Sequence, residues 1–265
     1  MATVAFVPHP DRPAGVELAD KAGQWLAAHG HNTLIVSGDT SLPDVDLVVS
    51  LGGDGTMLHC IALVGERSIP LLGVNLGHLG YLTDVDPDDL VDALGRFFSG
   101  EHRVEHRMTL DVEVNGHVRR ALNEAVLEKT VSGHTVRLAL AIDGEPLVTY
   151  AADGLIVATP TGSTAYNLSA RGPICSPTHR GIVVTPVSAH MLFDRSLVLD
   201  AAQTVTVQVI DGREARLVVD GHAVGAVDAS QPVELRASPT DAVLVRFGPP
   251  DFNRVLRAKF GLSDR

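Results

Sequence analysis

An aspartate stands among glycines in Gly52-Gly53-Asp54-Gly55-Thr56, directly after the apolar run Leu47-Val48-Val49-Ser50-Leu51 and ahead of Met57 to Val64, which reads as a helix. Glycines let backbone N–H groups come close to a ligand, and a helix N-terminus adds a potential that suits phosphate. A carboxylate beside bound phosphate raises the electrostatic cost, unless it accepts a proton from an attacking hydroxyl or helps to hold a metal. The alternative is a plain strand-to-helix turn, with Asp54 as N-cap and Thr56 making local hydrogen bonds. The segment fits neither the Walker pattern, which needs a lysine, nor the spaced dinucleotide fingerprint.

Two further segments carry polar groups where a strand should be apolar. Asp153 to Ala170 reads as an apolar strand, then a hydroxyl-rich turn through Thr159-Pro160-Thr161-Gly162-Ser163-Thr164, then a short helix starting near Ala165 and Tyr166. That order sets donors at a helix start, with one of only three tyrosines placed where its ring stacks on a base or fills the core. Asn123-Glu124 interrupts the run Ala121-Leu122 and Ala125-Val126-Leu127, so at least one of the pair is buried and needs a ligand or a structural partner.

The elements that must position these residues fall into two textures. Thr3–Val7, Gly15–His29, Thr33–Val36, Val45–Leu51, Ile69–Val74 and Pro87–Phe98 alternate as strands and helices, the signature of βαβ units on a parallel sheet. Beyond about Gly100, short strands follow one another with Asn115-Gly116, Asp143-Gly144, Asp211-Gly212 and Asp220-Gly221 as turn signals, and Val118–Glu128 reads as one continuing strand. The expected fold is therefore an α/β domain over residues 1–100 and a β-rich domain of stacked antiparallel sheets over 101–246. A helix within 247–265, with Val255, Leu256 and Phe260 on one side, returns to the first domain. The glycine loop and the hydroxyl-rich turn lie in different domains, so one ligand in a cleft touched by both is the simplest expectation.

Composition narrows the partners. A net charge of −11 disfavours nucleic acid and anionic membranes as long-range partners. No run is long and apolar enough for a bilayer helix, and the first residues lack the pattern of a signal peptide, so a cytoplasmic location is expected. Cys60 and Cys175 read as reduced core thiols. The twelve histidines show no HExxH pair, His102 and His106 sit in a charged connector, and no Gly-x-Ser-x-Gly supports a hydrolase triad. His190 and Arg195 are candidates to border a cleft, against structural and ion-pair readings respectively.

Gly52 to Thr56, Gly73-Val74-Asn75-Leu76-Gly77-His78-Leu79-Gly80-Tyr81-Leu82-Thr83, Asn123-Glu124 and Asp153 to Pro173 together resemble, in order and across nearly the whole chain, the motif set of bacterial NAD kinases. The glycine-aspartate loop alone is also similar to phosphofructokinases and to diacylglycerol and sphingosine kinases; the segment after Asp153 separates them. The resemblance implies an ATP-dependent kinase that phosphorylates the 2′-hydroxyl of the adenosine ribose of NAD, with Asp54 as general base. It places Gly52, Gly53, Gly55 and Thr56 against phosphates, with Asn75 shaping that loop. It places Asn123 and Glu124 at the adenosine, Thr164, Ala165, Tyr166 and Ser169 around the adenine, Asp153 toward the nicotinamide riboside, and Asp220 near the site. It implies a divalent metal, Mg²⁺, carried mainly by ATP rather than by a protein cage, with polyphosphate a possible donor, and a homodimer or homotetramer. The rivals are a lipid or sugar kinase with the same loop and a non-catalytic NAD(P) sensor. The chain departs from the usual Ser-Ala-Gly-Gly-Pro in having Arg171, which is strained if that position takes a positive φ.

Overall fold

The computed structural model describes residues 1–38, 41–77, 80–210, 212–249 and 252–262. In chain order the strands and helices are β1 (Thr3–Pro8), α1 (Pro13–Ala28), β2 (Asn32–Ile35), β3 (Leu47–Gly52), α2 (Asp54–Val64), β4 (Pro70–Asn75), α3 (Leu90–Ser99), β5 (Arg103–Arg107), β6 (Leu110–Val114), β7 (His117–Ala121), β8 (Glu124–Lys129) and β9 (Val136–Ile142). They continue with β10 (Glu145–Ala152), β11 (Gly154–Ala158), α4 (Tyr166–Ser169), β12 (Gly181–Val187), β13 (Leu197–Asp200), β14 (Val205–Val209), β15 (Ala215–Val219), β16 (His222–Val227), β17 (Val233–Ala237), β18 (Ala242–Arg246) and α5 (Phe252–Phe260). The chain divides into two compact units, Met1–His106 with Ala242–Arg265, and Arg107–Asp241. The boundaries fall at 106 and 242, not at 100 and 246, because β5 and β18 both join the sheet of the first unit.

That sheet has the order β2-β1-β3-β4-β18-β5, with parallel pairing from β2 through β18. Every residue of β3 is buried, as an unbroken apolar run in a central parallel strand requires. The chain leaves β1 toward β2 on one side and β3 toward β4 on the other, so the order reverses between β1 and β3. Ligands of open α/β sheets lie at such a reversal, beyond the carboxyl ends of the strands. The turn after β3 is Gly52-Gly53-Asp54. Its apolar support is one cluster that includes Val4, Phe6, Leu26, Leu47, Leu51 and Leu94. The last helix, α5, belongs to this unit; Val255 is buried, Phe260 is exposed against expectation, and the Lys259 ammonium lies 5.4 Å from the Tyr81 ring centre.

The second unit stacks two six-stranded antiparallel sheets, β10-β9-β14-β17-β6-β7 and β13-β12-β11-β8-β15-β16, around one core drawn from both, with Leu110, Leu138 and Val207 from the first and Leu127, Leu155 and Leu217 from the second. Three of the turn signals are two-residue hairpins with positive φ at both positions: Asn115-Gly116, Asp143-Gly144 and Asp220-Gly221. The fourth expectation is corrected. Asp211 lies outside the described residues, and the strands flanking Asp211-Gly212, β14 and β15, belong to different sheets, so that loop crosses the sandwich. The expected single strand Val118–Glu128 is also two: β7 edges one sheet, β8 is central in the other, and the chain changes sheet at Leu122-Asn123. Among the described residues no helix is long and apolar enough to cross a membrane.

Candidate active site

In the first unit, α2 starts three residues earlier than its apolar pattern suggested, so Asp54 is its first helical residue and not its N-cap, which is Gly53 and makes no side-chain cap bond. The Asp54 carboxylate instead accepts two backbone hydrogen bonds from a distant loop: the Tyr81 N–H donates to Oδ2 at 2.9 Å and the Leu82 N–H to Oδ1 at 3.0 Å. Glycine at position 80 makes this possible, because a Cβ there would lie 2.1 Å from Oδ1. Thr56 does not serve local hydrogen bonding either; its hydroxyl is buried without a partner among the described residues. Both halves of the strand-to-helix alternative therefore fail.

The glycines of this loop divide by what the chain itself requires. A Cβ at Gly52 would sit 2.1 Å from the Thr56 hydroxyl, so that glycine is dictated by packing. Gly53 and Gly55 have open space where a Cβ would go, and neither has a positive φ. Among the described residues nothing explains them. Asn75, at the end of β4, turns its Oδ1 to accept the Gly77 N–H at 3.0 Å, and it lines a cavity of about 950 Å³ with Arg12, Lys21 and Leu76. His78 and Leu79 of the expected motif lie outside the described residues.

In the second unit, Asn123, Glu124, Thr164, Ala165, Tyr166 and Ser169 are brought together by a buried scaffold. The Thr159 N–H donates to the Asn123 carbonyl at 2.8 Å and its hydroxyl to the Leu122 carbonyl, while a Cβ at Gly162 would lie 2.1 Å from the Asn123 oxygen. The Ser163 hydroxyl donates to the Pro160 carbonyl at 2.6 Å and accepts the Cys175 N–H at 3.0 Å. Asn167 donates to the Ser163 and Pro173 carbonyls and accepts from the Thr185 hydroxyl at 2.7 Å. Thr159 and Ser163, which read as donors in the turn, bond inward instead, and their partners in this scaffold, Asn167 and Thr185, carry no such signal in the sequence beyond polar side chains in an apolar stretch. Cys175 is half-buried, not a core thiol; Cys60 is buried, and desolvation pushes its thiol up to about 12.

On this scaffold the ligand-facing candidates stay open. The Tyr166 side chain is 41% exposed, which excludes its reading as core filler. Glu124 is 7% exposed and its Oε2 has no hydrogen-bond partner among the described residues. Burial first, then the neighbouring Asp220 carboxyl, pushes Glu124 up to about 8, against the opposing pull of the Tyr166 N–H. Asp220 is a brace: its Oδ2 accepts the Leu122 N–H at 2.7 Å, and its Oδ1 accepts those of Asn123 and Glu124 at 2.8 and 3.0 Å. Its φ of 47° in the β15–β16 turn aims it there. Desolvation shifts its carboxyl upward despite those three donors.

Asp153 is not part of this group. It precedes β11, five residues before Ala158, hence about 17 Å along the strand. There it pairs with Lys129 at 2.6 Å. Arg195 is exposed beside Asp194 at 3.6 Å, an ordinary surface pair, and His190 is exposed. Arg171 takes φ +65°, and a Cβ at the following Gly172 would lie 2.0 Å from the Asn167 oxygen. The first position of that pair thus wants glycine for its conformation and the second for its contacts.

The chain matches the ATP-NAD kinase N-terminal domain over residues 36–102 and the ATP-NAD kinase C-terminal domain over residues 122–247. It is 38% identical to an NAD kinase of Heliobacterium modesticaldum, over 98% of each chain. Among solved structures it is similar to a yeast NADH kinase complexed with NADH (27% identity, TM-score 0.87, covering all of this chain and 89% of that one). It is likewise similar to an NAD kinase from Archaeoglobus fulgidus in complex with ATP (25% identity, TM-score 0.82, 99% of this chain and all of that one). An aspartate gripped by a second glycine loop in one unit, and an exposed tyrosine over a buried hydroxyl scaffold in the other, thus belong to a protein of the ATP-dependent NAD kinase family.

Proposed function

We propose that Asp54 is the general base of NAD phosphorylation in this chain. The 2′-hydroxyl of the adenosine ribose attacks the γ-phosphorus of ATP in line; the new P–O bond forms as the bond to the β,γ-bridging oxygen breaks, ADP leaves, and the hydroxyl proton passes to Asp54. The observation that carries this reading is the setting of the Asp54 carboxylate: fixed by two N–H groups, and flanked by two glycines whose missing Cβ atoms no described residue requires. A carboxylate offers about four acceptor sites, so two donors orient it and leave capacity for a proton.

NAD and ATP are the ligands we assign, with Gly53, Gly55 and Thr56 against phosphates, and Tyr166, Thr164, Ala165 and Ser169 at the adenine. Among the described residues no group of three or more His, Cys, Asp and Glu side chains is placed to hold a metal. With one carboxylate already holding two N–H groups, a Mg²⁺ would be brought mainly by the triphosphate, where it would supply charge neutralisation to the transferred group. We also infer a homo-oligomer, which sedimentation of the purified protein would reveal.

Replacing Asp54 with Asn tests the assignment by measuring NADP formed from ATP, NAD and Mg²⁺, and NAD binding by calorimetry. Turnover should fall by roughly 10²–10⁴, the range for a lost general base, with NAD binding kept. Near-normal turnover would remove Asp54 from the role.

A further inference from the structure

The loop that grips Asp54 is itself gripped from the far side. Arg246, the last residue of β18, is 5% exposed and points its guanidinium at the Tyr81-Leu82 backbone. Nη2 donates to the Tyr81 carbonyl at 3.2 Å and Nη1 to the Leu82 carbonyl at 3.0 Å. Acids hold the guanidinium in place: Asp84 Oδ1 lies 3.1 Å from Nη1, and Glu105 Oε1 lies 3.5 Å from Nε. The Tyr81 carbonyl and the Leu82 N–H belong to one peptide unit. A chain therefore runs from Arg246 through the Tyr81 carbonyl, across that single peptide, and out through the Leu82 N–H to Asp54 Oδ1 at 3.0 Å.

We propose that Arg246 is a positioning residue for the catalytic carboxylate, acting through the Tyr81-Leu82 peptide. This rests on the assignment of Asp54 as the base. The fork fixes two successive carbonyls at once, which sets the plane of the intervening peptide and so the direction of its N–H. A cation on the carbonyl side polarises that peptide and strengthens its N–H as a donor, because hydrogen bonds in series reinforce one another. Neither function needs Arg246 to touch a substrate. Lysine keeps the charge and cannot span two carbonyls with a rigid fork, so it separates orientation from charge.

The experiment compares Arg246→Lys and Arg246→Met with the parent enzyme, measuring kcat, KM for NAD and for ATP, and the unfolding midpoint. For Lys we expect kcat to fall roughly tenfold with both KM values within about twofold, the mark of a reacting group turned by a fraction of an ångström, which costs less than the ~10²-fold of a 1 Å error. Met should fall further, with Lys a partial rescue of it. A folded Arg246→Lys enzyme with parental kcat overturns the proposal, as does a loss of kcat and rise of KM that merely track a lowered midpoint. Should both variants fail to fold, Asp84→Asn, which loosens the same guanidinium at a partly exposed site, must show the same kcat-selective loss; parental kinetics there overturn it equally. Asp54→Asn separates the two ideas. If that variant keeps near-normal turnover, the base assignment fails; if its turnover falls by roughly 10²–10⁴ beside a normal Arg246→Lys enzyme, only the role of Arg246 fails.

Discussion

Replacing Gly55 with alanine pits the fold against the function. Gly55 lies in the first turn of α2, is exposed, has no positive φ, and has none of the described residues within 4 Å of where a Cβ would stand. The free protein therefore gains from the change: alanine in place of a helical glycine stabilises by about 0.5–1 kcal/mol, through helix propensity and a less free unfolded chain. At roughly 2–4 °C per kcal/mol for a protein of this size class, the midpoint should rise by about 1–4 °C. If the missing Cβ exists to let a phosphate lie on the backbone, the added methyl displaces that phosphate by about 1 Å, which costs on the order of 10² in kcat/KM. The paired assays are thermal unfolding without ligand and NADP formation across ATP concentrations. Stability up with activity down is the expected result; an alanine variant with parental kinetics refutes the reasoning, because the glycine would then serve nothing.

Two further expectations follow from the second unit. Burial holds Glu124 at about 8 against an ordinary 4.5, so its contribution to stability is complete below about pH 4.5 and is lost as pH rises through 8; Glu124→Gln should flatten the fall in unfolding midpoint measured across that window, and an unchanged pH slope would contradict the placement. Arg171→Gly should raise the midpoint, since relief of a left-handed non-glycine residue, about 1–2 kcal/mol, exceeds the roughly 0.5–1 kcal/mol that glycine costs in chain freedom; a lowered midpoint would show that the arginine side chain contributes more than its backbone loses.

The parallel sheet and the stacked sheets were legible because their signals are local and repeated: the buried run of β3, and turn pairs such as Asn115-Gly116 that specify positive φ. Asn123 was legible as an anomaly but its cause was not. The chain changes sheet there because Asp220, nearly a hundred residues later, collects three consecutive N–H groups, and no local pattern records a partner at that separation. The same limit hid the Tyr81-Leu82 grip. Gly80 reads as one more loop glycine until the Asp54 carboxylate is found where its Cβ would be.

Asp54 and Asp220 show why residue type alone does not assign a role. Both are aspartates beside glycine, and each takes backbone N–H donors from a loop remote in sequence. The number of donors separates them. Asp220 spends its acceptors on three successive N–H groups, so the loop depends on the carboxylate, and its removal should disturb Asn123-Glu124 before it disturbs any chemistry. Asp54 takes only two, one on each oxygen, and one of them, the Leu82 N–H, belongs to the peptide whose carbonyl Arg246 holds. There the dependence runs the opposite way: the loop is anchored independently, and the carboxylate is the part left with acceptor capacity to use on a proton.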